Sequence, residues 1–318
     1  MLKEDRMVED KGPVAEPIDT GATVVPPRYS EWRRIVRVFF GRKLAVIGLV
    51  IIVILVLIAI FADLAWLGLP GVGIATHDPL ATDMKAVLEQ PSSAHWLGTD
   101  SIGRDTFSRI IHGTRISFRV GIAAVGSSAI IGMAMGLAAA YFGGWVFAII
   151  MRFTDALMAL PGLIIIILIA GLVGGGEGVV IFALAFGGIA PQCRIMCGQA
   201  LHIKQEDYVL AGRAIGMGNL RMMITQIFPN AFPPLLVGIT MGLGTIVLAE
   251  AGLSYLGIGI QPPAPSWGGM VYNGQAFLLT NPILSLAPGA AIMLIVFGFN
   301  MAGDGLRDAV DPRLKGAF

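Results

Sequence analysis

The feature that most constrains this 318-residue chain is an uncharged run from Leu44 to Ala62. Its 19 residues, wound as a helix, are roughly 28 Å long at about 1.5 Å per residue. That length fits a bilayer hydrocarbon core of about 30 Å. Inside lipid the backbone must satisfy its own polar groups, so the stretch is a spanning helix. A cleaved signal peptide would have a shorter apolar core and leader, so the run reads as an uncleaved anchor. Further apolar blocks follow, and composition agrees: 55% of residues are hydrophobic, 14% are charged, and mean hydropathy is +0.77. These values exclude a soluble domain of this length. The expected fold class is all-α, a polytopic integral membrane protein.

Charge placement sets the topology. Residues 1–28 are polar and aperiodic and read as a disordered cytoplasmic tail. Over 29–43 the chain turns basic, with Arg33, Arg34, Arg37, Arg42 and Lys43 among Trp32, Phe39 and Phe40, a mixture suited to a helix at an anionic membrane surface. Basic residues before the anchor at 44–62 put the amino terminus in the cytoplasm. Residues 63–116 are then external, and Arg104, Arg109, His112, Arg115 and Arg119 recur opposite Phe107, Ile110, Ile111 and Phe118. This predicts an amphipathic helix resting on the outer face. A transmembrane core over 117–304 supplies five further spans: Ser117 to Phe142, Phe147 to Val173 with a kink at Pro161, Val179 to Leu201, Phe232 to Ile258, and Leu286 to Met301. Gly132 and Gly136, four apart, let another helix approach the first of these closely. Six spans leave the loop 201–231 and the tail 305–318 in the cytoplasm. Lys204, Arg213 and Arg221 agree with that side.

Ionisable groups within the spans cost about 2.5 to 3.5 kcal/mol each at mid-membrane unless paired or wet. Arg152 and Asp155, three apart on one helix, can pair with each other. Glu250 has only Ser254 and Tyr255 as polar neighbours on its faces. It lines a path through the bundle, pairs with a basic residue of another chain, or is hydrogen-bonded within the helix packing. Catalysis finds no foothold. His77, His95, His112 and His202 are scattered, and no intramembrane Ser/His or Asp/Asp constellation emerges. Residues Gly174 to Gly178 lack the Lys-Ser/Thr ending of a phosphate-binding loop, so the chain should not bind ATP. Cys193 and Cys197 make a poor metal site and read as packing thiols. A net charge of +1 suggests no nucleic-acid partner. Asp304, Asp308 and Asp311 could suggest a cation site, but Arg307 and Arg313 among them neutralise it, and they read as caps and pairs around the end of the last helix.

One polar island stands between apolar blocks, Glu206 to Pro234. Tyr208 to Ile215 favours helix, Gly216 and Gly218 permit a turn, and a second helical run, Leu220 to Phe228, is expected to stop at Pro229. This island resembles the coupling loop of ABC importer permeases: Glu-Ala-Ala, three residues, Gly, nine residues, Ile-x-Leu-Pro. Aligned on Gly216 and Pro229, the triplet falls on Leu210, Ala211 and Gly212 and the last four on Gln226 to Pro229. Tyr208 to Gly216 is similar to the dipeptide and oligopeptide branch. So are Leu97 to Arg109, Gln261 to Gly268 and Gly303 to Arg313.

Together these resemble the second, or C-type, permease subunit over roughly residues 30 to 315. The resemblance implies half of a translocation pore in a prokaryotic cell membrane, without catalysis or cofactor of its own. It also implies a second permease subunit, two ATPase subunits holding ATP and Mg, and an external substrate-binding protein. Tyr208, Leu210, Ala211, Gly212, Arg213, Gly216, Phe228 and Pro229 would then form the ATPase-coupling loop, with small residues at 211, 212 and 216 for close approach. Glu250, Arg152 and Asp155 remain candidates for the path or an intramembrane pair. Trp267, among Pro262, Pro263 and Pro265, would anchor an external loop at the interface or on a docking partner. Related importers carry glutathione or metal chelates such as nickel's. A gradient-driven transporter working through Glu250 and Asp155 is the alternative of a different class.

Overall fold

The computed structural model describes residues 31–63 and 73–310. The tail expected over 1–28, and Asp311 and Arg313 near the carboxyl terminus, lie outside the described residues. In chain order the helices are α1 (Glu31–Gly41), α2 (Lys43–Phe61), α3 (Thr106–Phe142), α4 (Gly144–Ala159), α5 (Gly162–Val173) and α6 (Glu177–Ile203). They continue with α7 (Asp207–Ala214), α8 (Asn219–Met222), α9 (Phe228–Tyr255), α10 (Trp267–Gly274) and α11 (Ile283–Val310). Among the described residues, five helical stretches are long and apolar enough to cross a membrane, or six if the bent pair α4–α5 is one span.

The bundle is organised around the α3–α6 crossing. A Cβ added at Gly132 would lie 2.7 Å from Ile189 O and 2.8 Å from Gln192 Cβ. At Gly136 it would lie 2.9 Å from Met196 Cβ and 3.0 Å from Cys197 N. The two backbones meet there because neither glycine has a side chain. Cys193 and Cys197 are both buried and free on the α6 side of this contact. By contrast α2 buries only Ala45, Gly48 and Leu55, through which it packs on α11. It leaves Leu44, Ile47, Val50, Ile54 and Leu57 exposed, the surface lipid would cover.

Several boundaries differ from the sequence reading. The expected amphipathic helix on the outer face is the first part of α3, a single 37-residue helix. Its arginines serve protein partners instead of a membrane surface. Arg115 donates to Ala59 O and Asp63 O at the end of α2 (both 3.0 Å), Arg109 donates to Pro79 O (2.9 Å), and Arg119 pairs with Glu177 (3.2 Å). Four open carbonyl or carboxylate acceptors decide where these cations go. Pro161 does more than kink its span: α4 and α5 meet at 87°. Leu160, held extended by the proline after it (φ −99°, ψ 140°), opens the turn. Trp267 is fully buried, its Nε1–H donating to Ile110 O (3.0 Å), so it anchors α10 to α3 inside the protein. The last helix runs on to Val310, taking Asp304 and Arg307 into α11, and Arg42 pairs with Asp308 (3.3 Å).

These contacts sort the molecule into two ends. A loop end gathers residues 73–105, the turn 174–176, residues 256–282 and the start of α3. A connector end gathers the close of α3 and α6 with α7, α8 and the start of α9. Gly143, at φ +66°, reverses the chain from α3 into α4 at this second end, a conformation most side chains would strain.

Candidate functional site

The connector between α6 and α9 is built on one buried anchor. Val209 of α7 has no exposed surface and packs with Ile203, Met222, Ile227 and Ala231 against Leu137, Met196 and Ala200. Asp207 in the first turn of α7 and Arg213 in its last complement the helix dipole. The helix ends where Gly216 takes φ +79°, its N–H donating to Arg213 O (3.0 Å) while Met217 N–H donates to Gly212 O (3.0 Å). This left-handed turn is the work of Gly216. A Cβ there would meet nothing within 4 Å in this chain, so inside the subunit it is the left-handed turn that calls for glycine. Gly212 departs from the expected outward face: it is buried, and an added Cβ would lie 2.8 Å from Met222 Cε. It makes room for α8.

The chain does not stop at Pro229. Asn219 through Tyr255 is one helical stretch of 37 residues, with Met223–Ile227 wound as a π-turn and Pro229 in the first turn of α9. A proline lacks an N–H and its ring crowds the carbonyl one turn back, and the wider turn relieves both. Side chains take up carbonyls on these turns: Thr225 Oγ1 donates to Arg221 O (2.7 Å) and Asn230 Nδ2 to Gln226 O (2.6 Å). Phe228 is half-buried with its ring 5.6 Å from that of Phe232.

Two residues not singled out for this role in the sequence fasten the connector to α3. Lys204 Nζ donates to Ala140 O (3.0 Å) and Tyr141 O (2.8 Å), capping the end of α3 from another helix. Burial, and after it Arg213, hold the Lys204 ammonium below its ordinary range. Tyr141 OH donates to Asn219 Oδ1 (2.8 Å), and its ring lies under Lys204 (5.8 Å) and Arg213 (5.6 Å). A lysine following an apolar helix was the only visible signal, and its partner lies 63 residues away. Lys204→Met is expected to leave both carbonyls without this donor and to cost about 1–3 kcal/mol. The measurement is the melting temperature of the purified protein in detergent, with Lys204→Arg recovering most of the loss.

Around these fastenings the connector presents an uncovered apolar face. Tyr208, Leu210 and Ile224 are exposed, Ile215 is 80% exposed and Leu220 is 70% exposed. Ala211 and Arg213 are exposed beside them. Large exposed apolar side chains gathered in one place are typical of surfaces that meet a partner.

Further along the bundle α3, α5, α6 and α9 border a 460 Å³ cavity that opens to the surface. Val125, Ser128, Leu163, Ile166, Gln192, Met241 and Thr245 line it, with no charged residue among the lining. Glu250 is absent from this wall. It is 1% exposed, and Ser254 Oγ donates to its Oε1 (2.7 Å) while accepting from Ile260 N–H (3.0 Å). The hydrogen bond within the helix packing is present at Oε1, while Oε2 has no hydrogen-bond partner among the described residues. The pairing expected within α4 is replaced: Asp155 is salt-bridged to Arg194 of α6, and among the described residues Arg152 makes no ion pair and is exposed. The packing of α4 on α6 brings Arg194 to Asp155.

Comparison with known proteins gives a consistent set of likenesses. Residues 129–316 match the family described as binding-protein-dependent transport system inner membrane component. Residues 30–91 match the N-terminal TM domain of oligopeptide transport permease C. The dipeptide transport system permease protein DppC of Alkalihalophilus pseudofirmus is 37% identical over 307 residues, 95% of this chain and 98% of that one. The oligopeptide transport system permease protein OppC of Bacillus subtilis is 38% identical over 286 residues, 90% and 91% of the two chains. The glutathione transport system permease protein GsiD of Pectobacterium atrosepticum is 38% identical over 285 residues, 89% and 92%. Among solved structures, a chain of the inward-facing MetNI methionine ABC transporter superposes with a TM-score of 0.53 at 19% identity, covering 64% of this chain and 96% of that one. That last likeness shows the fold.

Proposed function

We infer the function from one premise: the chain belongs to the family of binding-protein-dependent transport system inner membrane components. It is a non-catalytic, multi-span permease subunit of an ABC importer in a bacterial inner membrane. Its cargo is a dipeptide or short oligopeptide, the substrate class in the names of two relatives. An uncharged cavity wall supports that reading, because peptides of varied side-chain charge can pass a surface that pairs with none of them. Glutathione, named for a third relative, is itself a small peptide and falls within the same chemistry.

The observation that carries the reading is the connector. Its support is fixed by Val209, Lys204 and Tyr141, while Leu210, Ile215 and Leu220 stand uncovered. This face docks one of two ATPase subunits, which hold ATP and Mg. The connector end is cytoplasmic, as Lys204, Arg213, Arg221 and the basic α1 indicate. A second permease subunit completes the pore around the cavity, and a substrate-binding protein delivers cargo at the loop end.

The test uses sealed membrane vesicles containing the whole importer with its binding protein. Uptake of a labelled dipeptide is expected to follow ATP on the ATPase side and to ignore an imposed proton gradient. Glu250→Gln is expected to retain more than half of wild-type uptake, since Ser254 can still donate to the amide oxygen. Uptake that follows the gradient and vanishes in Glu250→Gln would make this a gradient-driven transporter instead.

A further inference from the structure

At the loop end, three residues far apart in sequence bring one donor atom each to a common point. One ring nitrogen of His77, one of His95 and an Asp105 carboxylate oxygen all lie within 4.8 Å of one another. His95 Nδ1 is 2.9 Å and His77 Nδ1 3.9 Å from Asp105 Oδ1. The two imidazole rings lie side by side, centroids 4.7 Å apart and tilted by 32°. We propose that these three residues bind a late first-row divalent cation, zinc by preference, which clasps the segment 73–105 to the start of α3.

The geometry matches the ion. Two ligand atoms at 2.0–2.1 Å from a tetrahedral zinc are separated by about 3.3 Å, between the two distances found here. Two nitrogens and one oxygen suit zinc, copper or nickel, whereas magnesium and calcium favour all-oxygen sites. The carboxylate divides its work. Asp105 Oδ2 accepts the N–H of Ser108 (2.7 Å) as the N-cap of α3, which leaves Oδ1 turned toward the imidazoles. A cation on Oδ1 therefore leaves the cap in place, and the cap orients the ligand.

Both histidine backbones are held as well. His77 N–H donates to Ser108 Oγ (2.9 Å). His95 N–H donates to Ser92 Oγ (3.1 Å), and Ser92 N–H donates to His95 O (2.9 Å). Access is graded, with side-chain exposure of 1% at Asp105, 17% at His95 and 42% at His77. His77 also lines a 390 Å³ cavity, so a fourth position can take water. Thr76 Oγ1, 3.0 Å from His77 Nδ1, is a hydroxyl able to turn toward that water. A hydrogen bond from His95 alone would steady Asp105. It gives no reason for a second imidazole 3.9 Å from the same oxygen, beyond hydrogen-bond reach.

The experiment uses the full chain, purified without a histidine tag and stripped with a chelator. Zinc is titrated against a chromophoric competitor, and cobalt(II) against its own d–d absorption. Wild type is expected to bind one zinc per chain and to show the cobalt spectrum of a four- or five-coordinate site. His77→Ala, on the exposed side where the fold is least dependent, is expected to weaken zinc at least about tenfold. His95→Ala should do the same, and His202→Ala, at the connector end, should bind as wild type does. Zinc should raise the melting temperature of wild type and leave that of His77→Ala unmoved. Binding well below one equivalent, equal affinity in wild type and His77→Ala, or an equal loss in His202→Ala would each overturn the proposal.

Discussion

Ile215→Glu is expected to abolish ATP-driven uptake while leaving the permease folded. Ile215 is 80% exposed, just past the end of α7. A carboxylate there costs the isolated subunit little. In a docked interface it must be desolvated against an apolar pocket, a penalty of several kcal/mol that is enough to lower affinity at least a thousandfold. Copurification of the ATPase subunits with tagged permease checks this directly. The second permease should still be recovered, and the melting temperature should stay within a degree or two. Ile215→Leu should behave as wild type. Retained ATPase with full uptake in Ile215→Glu would remove this face from the docking surface.

The second large effect concerns the fold. Gly136→Leu is expected to prevent the native bundle from forming. Its Cβ alone would press on Cys193 O, and it would lie 2.9 Å from Met196 Cβ. Three more carbons follow with no space to enter. Overpacking of a core side chain commonly costs about 1–3 kcal/mol. Here the obstruction is backbone on both sides, so the helices must separate and the cost exceeds that range. Loss of the monodisperse species in size-exclusion chromatography is the expected result. Gly126→Leu, where an added Cβ meets nothing within 4 Å, should be tolerated in the same helix.

Much of this molecule was legible because its signals are local. An uncharged run of 19 residues can only span, and α2 is that run. The glycine pair of α3 announced a close crossing, and the turn at Gly216 fell where a helix with no further apolar periodicity needed to end. What stayed hidden depends on distance in sequence. Asp155 had Arg152 three residues away and Arg194 thirty-nine away, and only the packing of α4 on α6 decides between them. Pro229 reads as a stop because the sequence does not show that five residues before it can widen into a π-turn. Gly212 looked like a surface notch, yet the residue it accommodates, Met222, lies ten positions on. The cluster of His77, His95 and Asp105 could not be assembled from the sequence, because the 18 and 10 residues that separate its members run through irregular chain, where no period fixes which side chains meet.

The unbroken helix from Asn219 to Tyr255 has a mechanical consequence. It is a rod of about 55 Å at 1.5 Å per residue, loaded at its foot by the connector. It is gripped near its head, where a Cβ added at Gly268 would lie 2.7 Å from Ala251 C. A rod held at the head acts as a lever. Leu220 is some 46 Å below that grip and the cavity-lining Met241 some 15 Å below it on the same rise per residue. A displacement at the foot therefore reaches the cavity wall in the same direction and reduced to about a third, less whatever the π-turn at Met223–Ile227 takes up. Large strokes at the connector become small adjustments of the wall.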